Sequence, residues 1–403
     1  MVTTPTVWKD EFGLTTFTNS AQLDPVFTDI GNGRFVAVWT DFGGGVGKFG
    51  VNVIAQIFDA EGNAVGDPFL ANESAASQFE QQPAVTGRPG GGFAVAYFDN
   101  ELGLTDKERI IVDIFDVDGN HVGGKVIQAD DADAVSNPSI AMRSDGSYLV
   151  TYIREHTSGD GTFDVVGRRV SSSGTVGSEF TIFDSTDTST NMADHTAETA
   201  VLSNGSYVVA YTALTTDHDP QFKIIGQTGA VSSGTGFQIS LSSNDETDIQ
   251  VAALANGGFV AVWQTDNDGS GSGIRFSVYD NNGAAVKANQ FGGGIAVNTT
   301  TSGEQVTPDV TALADGGFVV VWDDDQRSGT YGQRFDASGN KVGGEFLVHS
   351  GTAGDQAVAA LSDGRFVTGF KTNGSSSDVF GAIFDPRTSP VNGTSGDDVL
   401  TSR

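Results

Sequence analysis

The stretch Gly316-Gly317-Phe318-Val319-Val320-Val321-Trp322 recurs along the chain. It returns as GRFVAVW (33–39), GGFAVAY (91–97), GSYLVTY (146–152), GSYVVAY (205–211), GGFVAVW (257–263) and GRFVTGF (364–370). Each copy is a glycine turn, an aromatic, a run of strand-forming residues, and a second aromatic four positions after the first. The first aromatic, from Phe35 to Phe366, returns every 48 to 59 residues. Periods near 50 residues mark long-bladed propellers, in which each repeat is one supersecondary unit that buries its faces against its neighbours.

Each repeat holds four strand-like runs. In the sixth they are PDVTALA (308–314), FVVVW (318–322), YGQRFD (331–336) and GEFLVHS (344–350). The third run ends in an aromatic-Asp pair at Phe58-Asp59, Phe115-Asp116, Tyr279-Asp280 and Phe384-Asp385, and a glycine turn such as AEGN or VDGN usually comes next. The fourth repeat is the most degraded. The seventh stops after its third run, and Phe12–Ser20 reads as the missing fourth one, through the likeness of Phe17-Thr18-Asn19 to Phe69-Leu70-Ala71-Asn72. The predicted fold is therefore all-β: a seven-bladed β-propeller of four-stranded blades, closed by an N-terminal strand that completes the last blade and removes the exposed edge. It spans 1–385, with a linker and a different segment at 386–403.

Composition narrows the function. The chain has 51 acidic and 21 basic residues, a formal charge of −30. Such a surface repels nucleic acid and anionic membranes and suits cations or cationic partners. Cysteine is absent, which excludes disulfides and thiolate chemistry. No apolar run is long enough for a membrane helix, so membrane insertion is not expected. The first residues, MVTTPTVWKDEFGLTT, have neither the basic nor the apolar region of a signal peptide.

The loops divide into two sets. Those joining strands one to two and three to four are short and stereotyped; those joining two to three, and blade to blade, are long, variable and acidic. Variable loops on a rigid scaffold are where function concentrates. Asp266 and Asp268 in one such loop, and Asp323, Asp324 and Asp325 in another, are candidate ligands for calcium, a hard cation that takes several oxygens. The same residues also suit solvated turns. The second aromatics Trp39, Tyr97, Trp263 and Trp322 are candidate sugar-stacking rings, although core packing is the stronger reading of them. His156 and His218 lie in loops of the variable face and are the candidate acid–base residues. No HExxH, GxSxG or Walker sequence is present.

The C-terminal residues Gly393-Thr394-Ser395-Gly396-Asp397-Asp398-Val399-Leu400-Thr401 resemble the opening of a repeats-in-toxin calcium array, with its GGxGxDxL-type unit. The repeated GGFVVVW and QRFDASGNKVG segments also resemble propeller-like repeats of large secreted repeats-in-toxin and adhesin-type bacterial proteins. The resemblance implies Asp397 and Asp398 as calcium ligands, type I secretion, and an extracellular location. The first functional expectation is a non-enzymatic extracellular module that binds a polysaccharide or cell-surface ligand through its variable loops. A polysaccharide lyase or glycoside hydrolase with its site at the channel mouth is the alternative, and a structural spacer in an adhesin is the third reading.

Overall fold

In the computed structural model the recurring stretch forms the second strands of seven antiparallel sheets. The structure describes residues 4–387, apart from 17–19, 44–45, 47–49, 74–78, 101–107, 128–133, 156–162, 185–195, 215–216, 233–235, 290–292 and 373–376. Six sheets are blades built from consecutive strands, and in the fifth blade the outer strand comes in two short pieces, Ala285–Lys287 and Ile295–Ala296. The seventh sheet joins Ala353–Ala360, Phe366–Thr372 and Val379–Asp385 to Thr6–Gly13 from the other end of the chain. The seven-bladed propeller and its N-terminal closure are thus as the sequence predicts. Among the described residues no helix is long and apolar enough to cross a membrane.

The apolar runs follow from where the second strands lie. Along Arg34–Asp41 every residue after Arg34 is buried. Phe35, Ala37 and Trp39 pack towards blade seven, while Val36 and Val38 pack towards blade two. A strand alternates its side chains between two faces, so a blade sandwiched between neighbours needs apolar residues at every position. Burying each such side chain contributes roughly 1.5–3 kcal/mol.

The aromatic-Asp pair is explained in the same way. Phe35 stacks on Phe58 with centroids 5.2 Å apart, and Phe318 on Phe335 at 4.8 Å. The adjoining aspartate closes the hairpin. Asp336 Oδ1 accepts the backbone N–H groups of Ser338 at 2.9 Å and Asn340 at 2.8 Å, and Asp59 does the same for Glu61 and Asn63.

The closing strand lies earlier than Phe12–Ser20. Its paired residues run from Thr6, opposite Asp385, to Gly13, opposite Phe380. Phe12 pairs with Gly381, as Phe69 pairs with Ala55 in blade one. Phe180 over Gly167 and Phe346 over Gly332 repeat this pairing of an outer-strand ring with a small third-strand residue. Phe12, and not Phe17, is therefore the counterpart of Phe69, and Phe17-Thr18-Asn19 lies outside the described residues.

Candidate functional site at the channel mouth

The first strand of each blade lines the propeller axis and has one edge without a strand partner. Six of these strands share a distortion. Asp24, Gln82, Asn137, Asp248, Thr307 and Asp355 each have φ between +48° and +55°, in the left-handed region. The ladder shows why. Leu23 pairs with Thr40 and Val26 with Val38, so Asp24 and Pro25 together face the single residue Trp39. This is a β-bulge, which re-aims side chains and increases twist. In four blades the second bulge residue is proline (Pro25, Pro83, Pro138 and Pro308), which has no N–H to leave unpaired where the ladder opens. Left-handed backbone costs a non-glycine residue roughly 1–2 kcal/mol. Its recurrence makes the bulge part of the architecture, while the residue type at each bulge is free to serve function.

The bulges put a polar ring around the channel at the variable-loop end. Neighbouring blades cap one another's freed N–H groups. Asp24 N–H donates to Asp355 Oδ2 at 3.2 Å, and Asn137 N–H to Gln82 Oε1 at 3.0 Å. Lys371 reaches Asp355 from the second strand of blade seven, at 2.9 Å. Burial, and then the charge of Asp355, push the Asp24 carboxyl up to about 6, against the pull of Lys371 and Thr40.

Beyond the bulge, one residue per blade forms a second tier, each paired with the residue just before the second aromatic. Blades seven, one and two supply Ala357, Val26 and Ala84. Blades three to six supply Ser139, Glu198, Gln250 and Asp309. One arc of the channel is therefore apolar and the other polar. Both tiers line a cavity of about 550 Å³ reached by the inner strands of all seven blades.

Glu198 and Asp309 have different surroundings. Ser139 Oγ accepts the Thr199 N–H at 3.1 Å, so its own hydrogen is donated to Glu198 Oε2 at 2.9 Å. Asp309 accepts N–H groups on both oxygens, from Val310 at 2.7 Å and from Val358 of the next blade at 2.6 Å. Burial pushes Glu198 up to about 7; Ser139 opposes the rise and the Asp309 charge adds to it. Burial also pushes Asp309 to about 7, against its two backbone donors. Two backbone donors favour the ionised form at Asp309 and one hydroxyl donor favours it at Glu198, while burial lets either group carry a proton near neutral pH. A concave site with two such carboxyl groups can perform general acid–base chemistry.

The chain shares its fold with propellers that are enzymes. The solved structure of Penicillium chrysogenum α-L-arabinanase complexed with arabinobiose is similar with a TM-score of 0.55 at 12% identity, over 95% of this chain and 99% of that one. The PL25 ulvan lyase bound to -[GlcA(1-4)Rha3S]- gives 0.55 at 13%, over 93% and 95%. The GH93 α-L-arabinofuranosidase of Fusarium graminearum with arabinobiose gives 0.54 at 11%, over 94% and 97%. No family model matches the chain, and no curated protein matches it.

Those residues singled out in the sequence that the structure describes lie elsewhere. Trp39, Tyr97, Trp263 and Trp322 are at most 1% exposed and sit in the cores between blades, so no ring face is open to a ligand. His218 begins the third strand of blade four, where its Nδ1 lies 3.1 Å from Asp245 Oδ1, and it does not line the cavity. His156, Asp397 and Asp398 lie outside the described residues. The Asp323–Asp325 triplet splits, because successive strand residues face opposite sides. Asp323 accepts from Thr330 Oγ1 at 3.0 Å, Asp324 pairs with Arg327 at 2.8 Å, and Asp325 is exposed. Asp266 is exposed, while Asp268 accepts from Asn298 Nδ2 at 3.1 Å. Among the described residues no three His, Asp or Glu side chains are grouped so as to hold a metal ion. A signal for the channel residues does exist in the sequence: the polar-Pro pairs Asp24-Pro25, Gln82-Pro83, Asn137-Pro138 and Thr307-Pro308 recur in step with the repeat.

Proposed function

We propose that this propeller is a glycoside hydrolase whose site is the variable-loop mouth of the central channel. The observation that carries the reading is the pair Glu198 and Asp309, set in one tier of a concave channel, the first accepting from one hydroxyl and the second from two backbone N–H groups. Glu198 is the general acid that protonates the departing glycosidic oxygen. Asp309, held by Val310 and Val358, is the carboxylate that acts as base or nucleophile. The apolar arc of Val26, Ala84 and Ala357 offers contact to the C–H face of a sugar ring. The fold shared with an arabinanase and an arabinofuranosidase supports this reading.

Charge favours hydrolysis over a lyase reaction. A lyase acting on a uronate must neutralise the substrate carboxylate. Here no lysine or arginine is among the described residues that line the cavity. Lys371, the nearby ammonium, is already paired with Asp355. The test is release of reducing ends from a panel of uncharged and amino-sugar polysaccharides by the wild type, Glu198→Gln and Asp309→Asn. Activity in the wild type and its loss in both variants are expected. Binding without release by the wild type would return the protein to the class of glycan-binding modules. Unsaturated products from a uronate polymer would make it a lyase.

A further inference from the structure

Among the described residues five carboxyl groups line the cavity: Asp24, Asp248 and Asp355 at the bulges, and Glu198 and Asp309 in the tier beyond. They come from five different blades, so they surround the axis instead of crowding one loop. We infer that the channel selects a glycan carrying free amino groups, such as a glucosamine polymer, over its uncharged or acidic counterparts. This selectivity rests on the hydrolase reading of the same site and names the class of sugar that enters it.

The energetics are those of desolvation. A sugar entering the channel displaces water from these carboxyl groups. An uncharged sugar gives them hydroxyl donors and adds no positive charge to that of Lys371 at Asp355, and removing further carboxylates from water without more countercharge is costly. Burial already raises Asp24 to about 6 and Glu198 and Asp309 to about 7, a sign that these groups ionise with difficulty inside the channel. An ammonium group on the sugar supplies both the opposite charge and three donors. The apolar arc of Ala357, Val26 and Ala84 remains available for the ring itself. An acidic sugar meets like charge. At long range, the net charge of −30 draws cationic chains towards the protein.

Proton release accompanies such binding. A bound ammonium favours the ionised form of nearby carboxyl groups, so protons held near pH 6.5 leave when the ligand arrives. The experiment is titration calorimetry of the full chain at pH 6.5 with a glucosamine tetrasaccharide and with its fully N-acetylated counterpart. Each is run in two buffers of different ionisation enthalpy and at two salt concentrations. Glu198→Gln is used as well, to prevent turnover. The amine is expected to bind at least tenfold more tightly, with binding weakened by salt and accompanied by proton release. Asp248→Asn, which keeps a residue tolerant of left-handed backbone, is expected to weaken the amine at least threefold and to narrow the gap between the two sugars, because the acetylated one no longer displaces water from that carboxylate. Equal affinity for the two sugars, or no proton release, overturns the selectivity while leaving the hydrolase reading in place. Binding of neither overturns the selectivity, and the hydrolase reading then stands or falls on the polysaccharide panel alone. Equal affinity for spermidine shows that charge alone is read, and overturns the sugar part of the inference.

Discussion

The guanidinium of Arg365 lies over the indole of Trp8, with its carbon 4.3 Å from the ring centroid. The two are 357 residues apart in sequence (365 − 8 = 357). Glu61 links them: its Oε2 accepts the Trp8 indole N–H at 2.7 Å, and its Oε1 accepts from Arg365 at 3.0 Å. Blade one, blade seven and the closing strand thus meet in one contact. Lys9 adds a second, donating to Gly62 O at 2.8 Å.

Trp8→Ala removes the cation–π contact and a charge-assisted hydrogen bond. Each is worth about 1 kcal/mol at a partly exposed position. A loss of about 2 kcal/mol is expected, read as a lower urea midpoint. Hydrogen exchange should show faster opening of Thr6–Gly13 while blades two to five keep their protection. An unchanged midpoint would mean that the ladder between the closing strand and Val379–Asp385 suffices without this clasp.

Gly369 is the small residue of the seventh copy, GRFVTGF, where other copies carry valine, alanine or threonine. A Cβ placed on it would lie 2.0 Å from Cε2 of Phe27 in the neighbouring blade. Phe27 is buried against Phe35, with centroids 6.4 Å apart. Gly369→Ala therefore overpacks the seam between blades seven and one and is expected to cost about 1–3 kcal/mol. Adding Phe27→Leu should restore part of the loss. If the double variant is less stable than the sum of the single ones, the ring is not the obstacle.

Thr307 is the one β-branched residue among the six bulge positions, and its φ is +49°. Branching at Cβ makes left-handed backbone most costly. Thr307→Asn keeps a donor for Gln356 Oε1, now reached at 2.7 Å, and tolerates this conformation. A gain of about 0.5–1 kcal/mol in chemical denaturation is expected. A loss would show that the link from Thr307 to Gln356 outweighs the strain.

The fold was legible because the second strands are buried on both faces. That demand writes nearly the same apolar phrase seven times, and the hairpin aspartates repeat because the turn needs them. The first strands obey no such constraint. Beyond the bulge they face a cavity, so each blade contributes a different single residue, Glu198 in one and Asp309 in another, and only the polar-Pro pairs of the bulges repeat. The second aromatics draw attention because they end a conspicuous run, yet Trp322 is wholly enclosed. The closing strand lies earlier than the likeness of Phe17 to Phe69 suggests, because the position of Phe12 is fixed by pairing with Gly381 in three dimensions and not by neighbouring sequence.

The carboxyl pair makes stability and activity depend on pH in linked ways. Glu198 holds its proton more tightly in the folded protein, with a value of about 7 against the ordinary 4.5. Between these values the folded state binds more protons than the unfolded one. Stability from this group is therefore greatest in acid, falls as pH rises towards 7, and is flat above. Glu198→Gln keeps an acceptor for Ser139 and removes the titration. The variant should match the wild type in urea midpoint at pH 4 and exceed it at pH 8. Hydrolysis should change in the same window, because Glu198 must be protonated to act as acid. The wild-type rate is expected to fall above about pH 7, and Glu198→Gln to lose about 10²–10⁴-fold below that pH and progressively less above it, where the wild-type acid is itself ionised. Equal midpoints for the two proteins at pH 8 would mean that Glu198 is solvated in the channel and titrates like an ordinary surface carboxyl, which would remove it as the acid.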